Sequence, residues 1–296
     1  MKANQIVFSF VVSFVFVASL FGQSKKPVIF AVMNDGKLVE PIAFVEKGKL
    51  TPAIREDVSD SARVGFGADY YKPGEQYRLY FAGRDNGTVT VKRFNADSDC
   101  APNMAEIAVD TKRTELKGFL MALATNFKPS TQAKDVRRRP TAAERKQVEE
   151  LAKGVFQKDG VTQAALAKIN YLNLTAIDAD HDGKAEIVGS FYVAPNSKER
   201  KLLFVIAEKG SNGSYYLAQS RLASYDQNNV MNGEVNTLDS GVYSELLLDS
   251  IDYDNDRSNE IFTYTQGFEG SNFAVYKKKG RSWQKVFETS NYHCGY

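Results

Sequence analysis

Three carboxylates at alternate positions, with a fourth four residues on, occur twice in this chain of 296 residues. The segments are Asp178-Ala179-Asp180-His181-Asp182-Gly183-Lys184-Ala185-Glu186 and Asp252-Tyr253-Asp254-Asn255-Asp256-Arg257-Ser258-Asn259-Glu260. Carboxylate oxygens crowded around one point repel each other unless a cation lies among them, and hard oxygen ligands suit calcium. An EF-hand would need a bidentate acid at loop position 12, where this chain has Gly189 and Thr263, so that loop type is excluded. Leu174, Ile177 and Ile187 correspond to Leu248, Ile251 and Ile261 at the same offset of 74 residues that relates the acids, which marks an internal repeat. The bland alternative is a pair of solvated turns, because Asp and Asn favour turns without any ion.

Each loop lies between apolar runs, residues 171–177 and 187–193 in the first copy and 246–251 and 261–265 in the second, and therefore joins two strands. A strand, an Asp-x-Asp-x-Asp-Gly-x-x-Glu loop and an apolar strand resemble the calcium-binding hairpin of FG-GAP and VCBS repeats, found in integrin-type propellers and many secreted bacterial proteins. The resemblance covers residues 171–194 and 245–266 and nothing before residue 165. It implies that Asp178, Asp180, Asp182 and Glu186 are side-chain ligands of Ca2+, with the Lys184 carbonyl also facing the ion. In the second loop it implies Asp252, Asp254, Asp256 and Glu260, with the Ser258 carbonyl. One departure stands out: the family's glycine is present as Gly183 but replaced by Arg257. That position takes a left-handed turn in the family, where a side chain costs on the order of 1 kcal/mol. The second site is therefore expected to be weaker than the first or empty. Neutralising four clustered acids pins a hairpin, so calcium held this way acts as a staple rather than a reagent.

Catalytic constellations are scarce. The only histidines are His181 and His293, in no HExxH arrangement, and there is no Gly-x-Ser-x-Gly elbow, Walker loop or dinucleotide fingerprint. His181 falls at a loop position expected to act as a solvent-facing spacer. Glu269, in the turn at 267–270, is the acid placed to face a cleft, and paired carboxylates would keep hydrolysis open. Aromatics are plentiful after residue 190; they suit a carbohydrate or protein contact, and equally the packing that strands themselves require.

The net charge of +2 points to neither nucleic acid nor a membrane surface. Lys2 followed by an apolar stretch over residues 6–21 and then Gly22-Gln23-Ser24 reads as a secretory signal cleaved near residue 22, with cleavage after Ala18 and an uncleaved anchor as alternatives. The location is then secreted or periplasmic, with no stable membrane span after cleavage. Cys100 and Cys294 are the only cysteines; a single disulfide and two free thiols both remain open.

Residues 23–126 read as a β-rich region. Asn34-Asp35-Gly36 divides strands 28–32 and 38–45, and Arg84-Asp85-Asn86-Gly87 divides 77–82 and 88–94. Residues 127–140, with Arg137-Arg138-Arg139-Pro140, read as a solvated linker. Residues 141–170 read as a helical pair: Thr141-Ala142-Ala143-Glu144 is a capping box, and Val148, Leu151, Ala152, Val155 and Phe156 recur at helical spacing. Residues 171–296 then give two groups of four strands.

The expected fold is mainly β with a short helical insert and antiparallel four-stranded blade-like units, a propeller-like or partial-propeller arrangement. Two blades cannot close a ring, so the N-terminal strands, a partner chain or an open stack must complete it; the first of these is the preferred reading. The expected function is a secreted calcium-binding β-repeat protein serving as a non-enzymatic binding, adhesion or structural module for an extracellular protein or carbohydrate. The alternative is a cell-envelope polysaccharide hydrolase or lyase using loop carboxylates.

Overall fold

A computed structural model describes residues 25–54, 60–95, 103–112, 121–130 and 137–293. The expected signal segment and both cysteines lie outside these residues. The chain is mainly β with antiparallel sheets, as its alternating apolar runs demand. Among the described residues no helix is long and apolar enough to cross a membrane.

The N-terminal strands are β1 (Val28–Met33), β2 (Leu38–Glu46), β3 (Lys49–Pro52), β4 (Gln76–Phe81), β5 (Arg84–Phe94), β6 (Ala105–Thr111) and β7 (Ala122–Thr125). They pair in the order β1-β7-β4-β5-β6-β2, and β2 returns to β1, closing a six-stranded barrel with β3 added beside β2. They are not degenerate blades: closure satisfies both edges of every barrel strand within the region itself. The first expected turn is correct, with Asn34, Asp35 and Gly36 all at positive φ. The second falls earlier than expected, at Ala82 (φ 56°) and Gly83 (φ 67°), while Arg84 to Gly87 belong to β5.

Helix α1 (Asp60–Tyr70) gives no periodic signal and contains Gly65 and Gly67, both poor helix formers. Burial makes it: Phe66 and Tyr70, with the following Tyr71, pack on Phe30, Val32, Leu79 and Val89, which point into the barrel. Gly67 is required for this approach, since a Cβ there would lie 2.0 Å from the Phe94 ring.

The connection at 127–140 is not a solvated linker at its far end. Arg137 and Arg138 form the short strand β8 (Arg137–Arg138) beside β9 (Asn170–Ile177), and the Arg137 side chain is only 11% exposed. Helix α2 (Ala142–Lys158) begins with the expected capping box: Glu144 N–H donates to Thr141 Oγ1 at 3.2 Å and Thr141 N–H to Glu144 Oε2 at 2.8 Å. Val148, Ala152 and Phe156 are fully buried on one face, where truncating Phe156 to Ala would cost about 3–5 kcal/mol. The short helix α3 (Gln163–Leu166) follows, capped by Thr162.

The two repeat units are sheets. The first adds β10 (Glu186–Asn196), β11 (Glu199–Lys209) and β12 (Tyr215–Asp226) to β8 and β9. The second comprises β13 (Glu245–Ile251), β14 (Glu260–Gln266), β15 (Gly270–Lys279) and β16 (Ser282–Tyr292). The strands match expectation closely, but the sheets form no ring. Ile177, Val188, Phe204 and Ile206 on one face of the first sheet pack on Leu247, Ile261, Tyr276 and Trp283 of the second. Helices α2 and α3 cover the opposite face of the first sheet through Ala176, Ile187 and Val205. The barrel covers the opposite face of the second, with Ile29, Ala31 and Leu123 against Leu248, Phe262 and Phe273. Helices, sheet, sheet and barrel thus form a stack in which each apolar sheet face finds a neighbour. The antiparallel units stand; the propeller-like arrangement is replaced by this capped stack.

Candidate metal centre

The first acidic loop joins β9 to β10. Carboxylate oxygens of Asp178, Asp180, Asp182 and Glu186 all lie within 4.8 Å of one another. Backbone geometry arranges them: His181 (φ 60°) and Gly183 (φ 83°) are left-handed, so the chain curls and returns its alternate side chains to one point. Local hydrogen bonds hold the curl, with Ala179 N–H donating to Glu186 Oε2 at 2.7 Å and Lys184 N–H to Asp182 Oδ1 at 2.8 Å. Glu186 is 2% exposed, and Asp178 Oδ1 is buried with no hydrogen-bond partner. Burial, reinforced by Asp180, pushes the Glu186 carboxyl well above the ordinary range. Asp178 is raised by the same two causes in the same order. Four acids therefore converge with too little positive charge among them, and the orphaned oxygen, the oxygen-only donor set and the loop curvature fit a hard cation.

His181 is not the outward spacer expected from its position. It is half-buried, and its proximity lowers the Asp178 carboxyl against the effect of burial.

The second loop repeats the curl, with Asn255 (φ 65°) and Arg257 (φ 80°) at the positions of His181 and Gly183. Arg257 therefore carries the left-handed strain that glycine avoids. Asp252, Asp254 and Glu260 converge as a group of three, and Asp256 falls outside it. The difference is Lys277, on β15. Its ammonium lies 3.0 Å from Glu260 and 2.8 Å from Asp256, and it also hydrogen-bonds Asp254. Asp252 is satisfied by the backbone, Oδ1 accepting from Asp256 N–H at 3.1 Å and Oδ2 from Arg257 N–H at 3.0 Å. Asp254 Oδ1 remains buried without a partner. Burial still pushes Glu260 up to about 8 despite Lys277. Asp256, whose burial acts the other way, is brought below its usual value by the Lys277 hydrogen bond.

Register shows what replaces Lys277 in the first unit. Ile187 pairs with Ala207, and its repeat partner Ile261 pairs with Tyr276, so Glu208 and Lys277 occupy equivalent places. Where the second unit has an ammonium, the first has a fifth carboxylate. Glu208 accepts from Tyr216 Oη at 2.8 Å and Trp283 Nε1 at 2.6 Å. It also pairs with Lys278, which reaches across from the second sheet and stands 3.0 Å from Asp180. The loops themselves touch, Asn259 N–H donating to the Ala179 carbonyl at 2.8 Å.

Glu208, Lys277 and Lys278 were not identified from the sequence. Comparing third strands of the two units would have found them, but the strands of the β14–β15 hairpin are shorter than those of the β10–β11 hairpin, which breaks the 74-residue offset. Lys184 Nζ pairs with Asp182 at 3.1 Å, and Ser258 N–H donates to Asp256 Oδ1 at 3.0 Å. Glu269 does line a cavity, and among that cavity's described residues it is the one carboxylate, whereas glycoside hydrolysis uses a pair. His293 is buried against Glu40 of the barrel, Nε2 to Oε1 2.8 Å. Comparison of the chain with protein-family models, with curated proteins and with solved structures finds no match.

Proposed function

We propose that this is a secreted or periplasmic, non-enzymatic β module of FG-GAP/VCBS-like repeats, stapled by one calcium ion in the first acidic loop. The observation that carries the reading is the convergence of Asp178, Asp180, Asp182 and Glu186 around a buried, unpartnered Asp178 oxygen. The Lys184 carbonyl completes the donor set in this reading. The second loop already has a cation of its own: Lys277 contacts Asp254, Asp256 and Glu260 and competes with an ion for their oxygens, so the module takes one ion rather than two. Because the occupied loop touches its neighbour and Lys278 bridges the two sheets at Asp180 and Glu208, the ion stabilises the sheet-to-sheet seam and leaves outer surfaces for a partner.

Thermal unfolding in excess calcium and in chelator, with calorimetric counting of ions, tests this. One ion bound and a melting temperature raised by several degrees are expected, since a ligand specific to the folded state stabilises it by mass action. Asp180→Ala should abolish both effects. Absence of binding in the wild-type protein would leave the loops as turns and remove the staple.

A further inference from the structure

A cavity of about 650 Å³ opens between the barrel and the ends of the two sheets, away from the acidic loops. That size suits a small ligand of a few rings. We infer that it is a binding site for a neutral oligosaccharide of two to four sugar units.

One wall is an aromatic platform. The Tyr225 and Tyr243 rings stack with centroids 5.0 Å apart and planes at 27°, and Phe268 meets Tyr243 edge-on at 5.4 Å. Tyr243 is fixed from behind, its N–H donating to the Gln266 carbonyl at 2.8 Å. Tyr292, which also lines the cavity, is 53% exposed, unusual for a ring this large. Rigid aromatic faces bind at small entropic cost, and the apolar C–H faces of pyranose rings are the natural match.

The polar groups select against charged ligands. Arg221 is already neutralised, donating to the buried Glu245 carboxylate at 2.8 Å. Among the described lining residues the charged side chains are Arg63, Arg221 and Glu269, and with Glu245 behind Arg221 the two signs balance. A phosphate or polyanion would find no net positive charge among these described residues. Around the platform lie side chains that both donate and accept, among them Asn272, and these match a hydroxyl-rich surface.

The rim is built rather than incidental. At the 267–270 turn, Gly267 N–H donates to the Gly270 carbonyl at 2.8 Å, and a Cβ on Gly270 would lie 2.2 Å from the Asn291 carbonyl oxygen. That close approach of β15 and β16 holds Glu269 and Tyr292 at the cavity mouth.

The inference rests on the binding-module reading and is independent of the metal. Its test is retention on an immobilised panel of neutral di- to tetrasaccharides of glucose, N-acetylglucosamine, mannose, galactose and xylose, beside uronic-acid oligomers and unrelated peptides. Titration calorimetry then follows on any sugar retained. At least one neutral sugar should bind, and Tyr292→Ala and Glu269→Ala, both exposed and so harmless to folding, should each weaken it by roughly tenfold or more. Repeating the assay in chelator, with circular dichroism confirming the fold, separates the two readings: sugar binding that persists there stands without the ion. Retention of no neutral sugar, binding unchanged in both variants, or preference for the acidic oligomers or peptides would each overturn it.

Discussion

Arg137 and Asp249 form an ion pair of 3.2 Å at the point where the barrel, the first sheet and the second sheet meet. Asp249 is fully buried and accepts from Ala82 N–H at 2.7 Å and Ser250 N–H at 2.8 Å. Arg137 also donates to the Leu248 carbonyl at 2.7 Å and to the Met121 carbonyl at 3.2 Å, and lies over the Phe81 ring. One carboxylate thus anchors the turn of a barrel hairpin and one guanidinium joins β8 to β13. Burial raises the Asp249 carboxyl, while Arg137 and the backbone N–H groups of Ser250, Ala82 and Gly83, the last at 3.4 Å, oppose that rise.

Removing this carboxylate strands a nearly buried cation and three backbone donors. Asp249→Ala is expected to cost about 3–5 kcal/mol, read as a lower urea midpoint with a single transition. A change below about 1 kcal/mol would show that the barrel is held to the sheets by the apolar contacts alone.

Lys277 sets the ion stoichiometry. Lys277→Met should destabilise the calcium-free protein by on the order of 2 kcal/mol, a figure discounted for the side chain's partial solvent screening, because Asp254, Asp256 and Glu260 lose their common cation. In calcium the same variant should bind two ions where the wild type binds one. A count that stays at one would assign the closure of the second loop to Arg257 and the backbone bonds to Asp252, rather than to the ammonium.

The start of α2 predicts a pH dependence. Hydrogen bonding from Arg138 holds Glu144 down to about 2, with the Thr141 N–H adding to it. A carboxyl whose folded value is depressed contributes stability above its unfolded value and loses it as pH falls through the folded one. Since Arg138 remains 39% exposed, screening limits the pair to on the order of 1 kcal/mol. Glu144→Gln preserves the cap and removes the charge. Its deficit in melting temperature should be full at pH 7, shrink below about pH 4.5 and vanish near pH 2; a deficit constant across that range would assign the loss to packing.

Local patterns were legible wherever the cause is local. Thr141 and Glu144 mark a helix start because the two groups that satisfy each other are three residues apart. The strands of both repeat units follow from alternation, and Gly183 and Arg257 adopt the left-handed turn that the loop pattern required. Helix α1 was missed because its glycines argue against a helix and only the barrel interior stabilises it. Arg137 was misread because the polarity of an arginine says nothing about a buried partner 112 positions later.

By itself the sequence determined the acidic clusters, the β character of both units and the helical insert, since these depend on neighbours within a few residues. Tertiary structure alone decided that the N-terminal strands close into a barrel, that the units stack instead of forming a ring, and that Lys277 rather than a carboxylate faces the second loop. Each of those outcomes depends on which strand edges and apolar faces meet, and such meetings join residues far apart in the chain, where no local spacing records them.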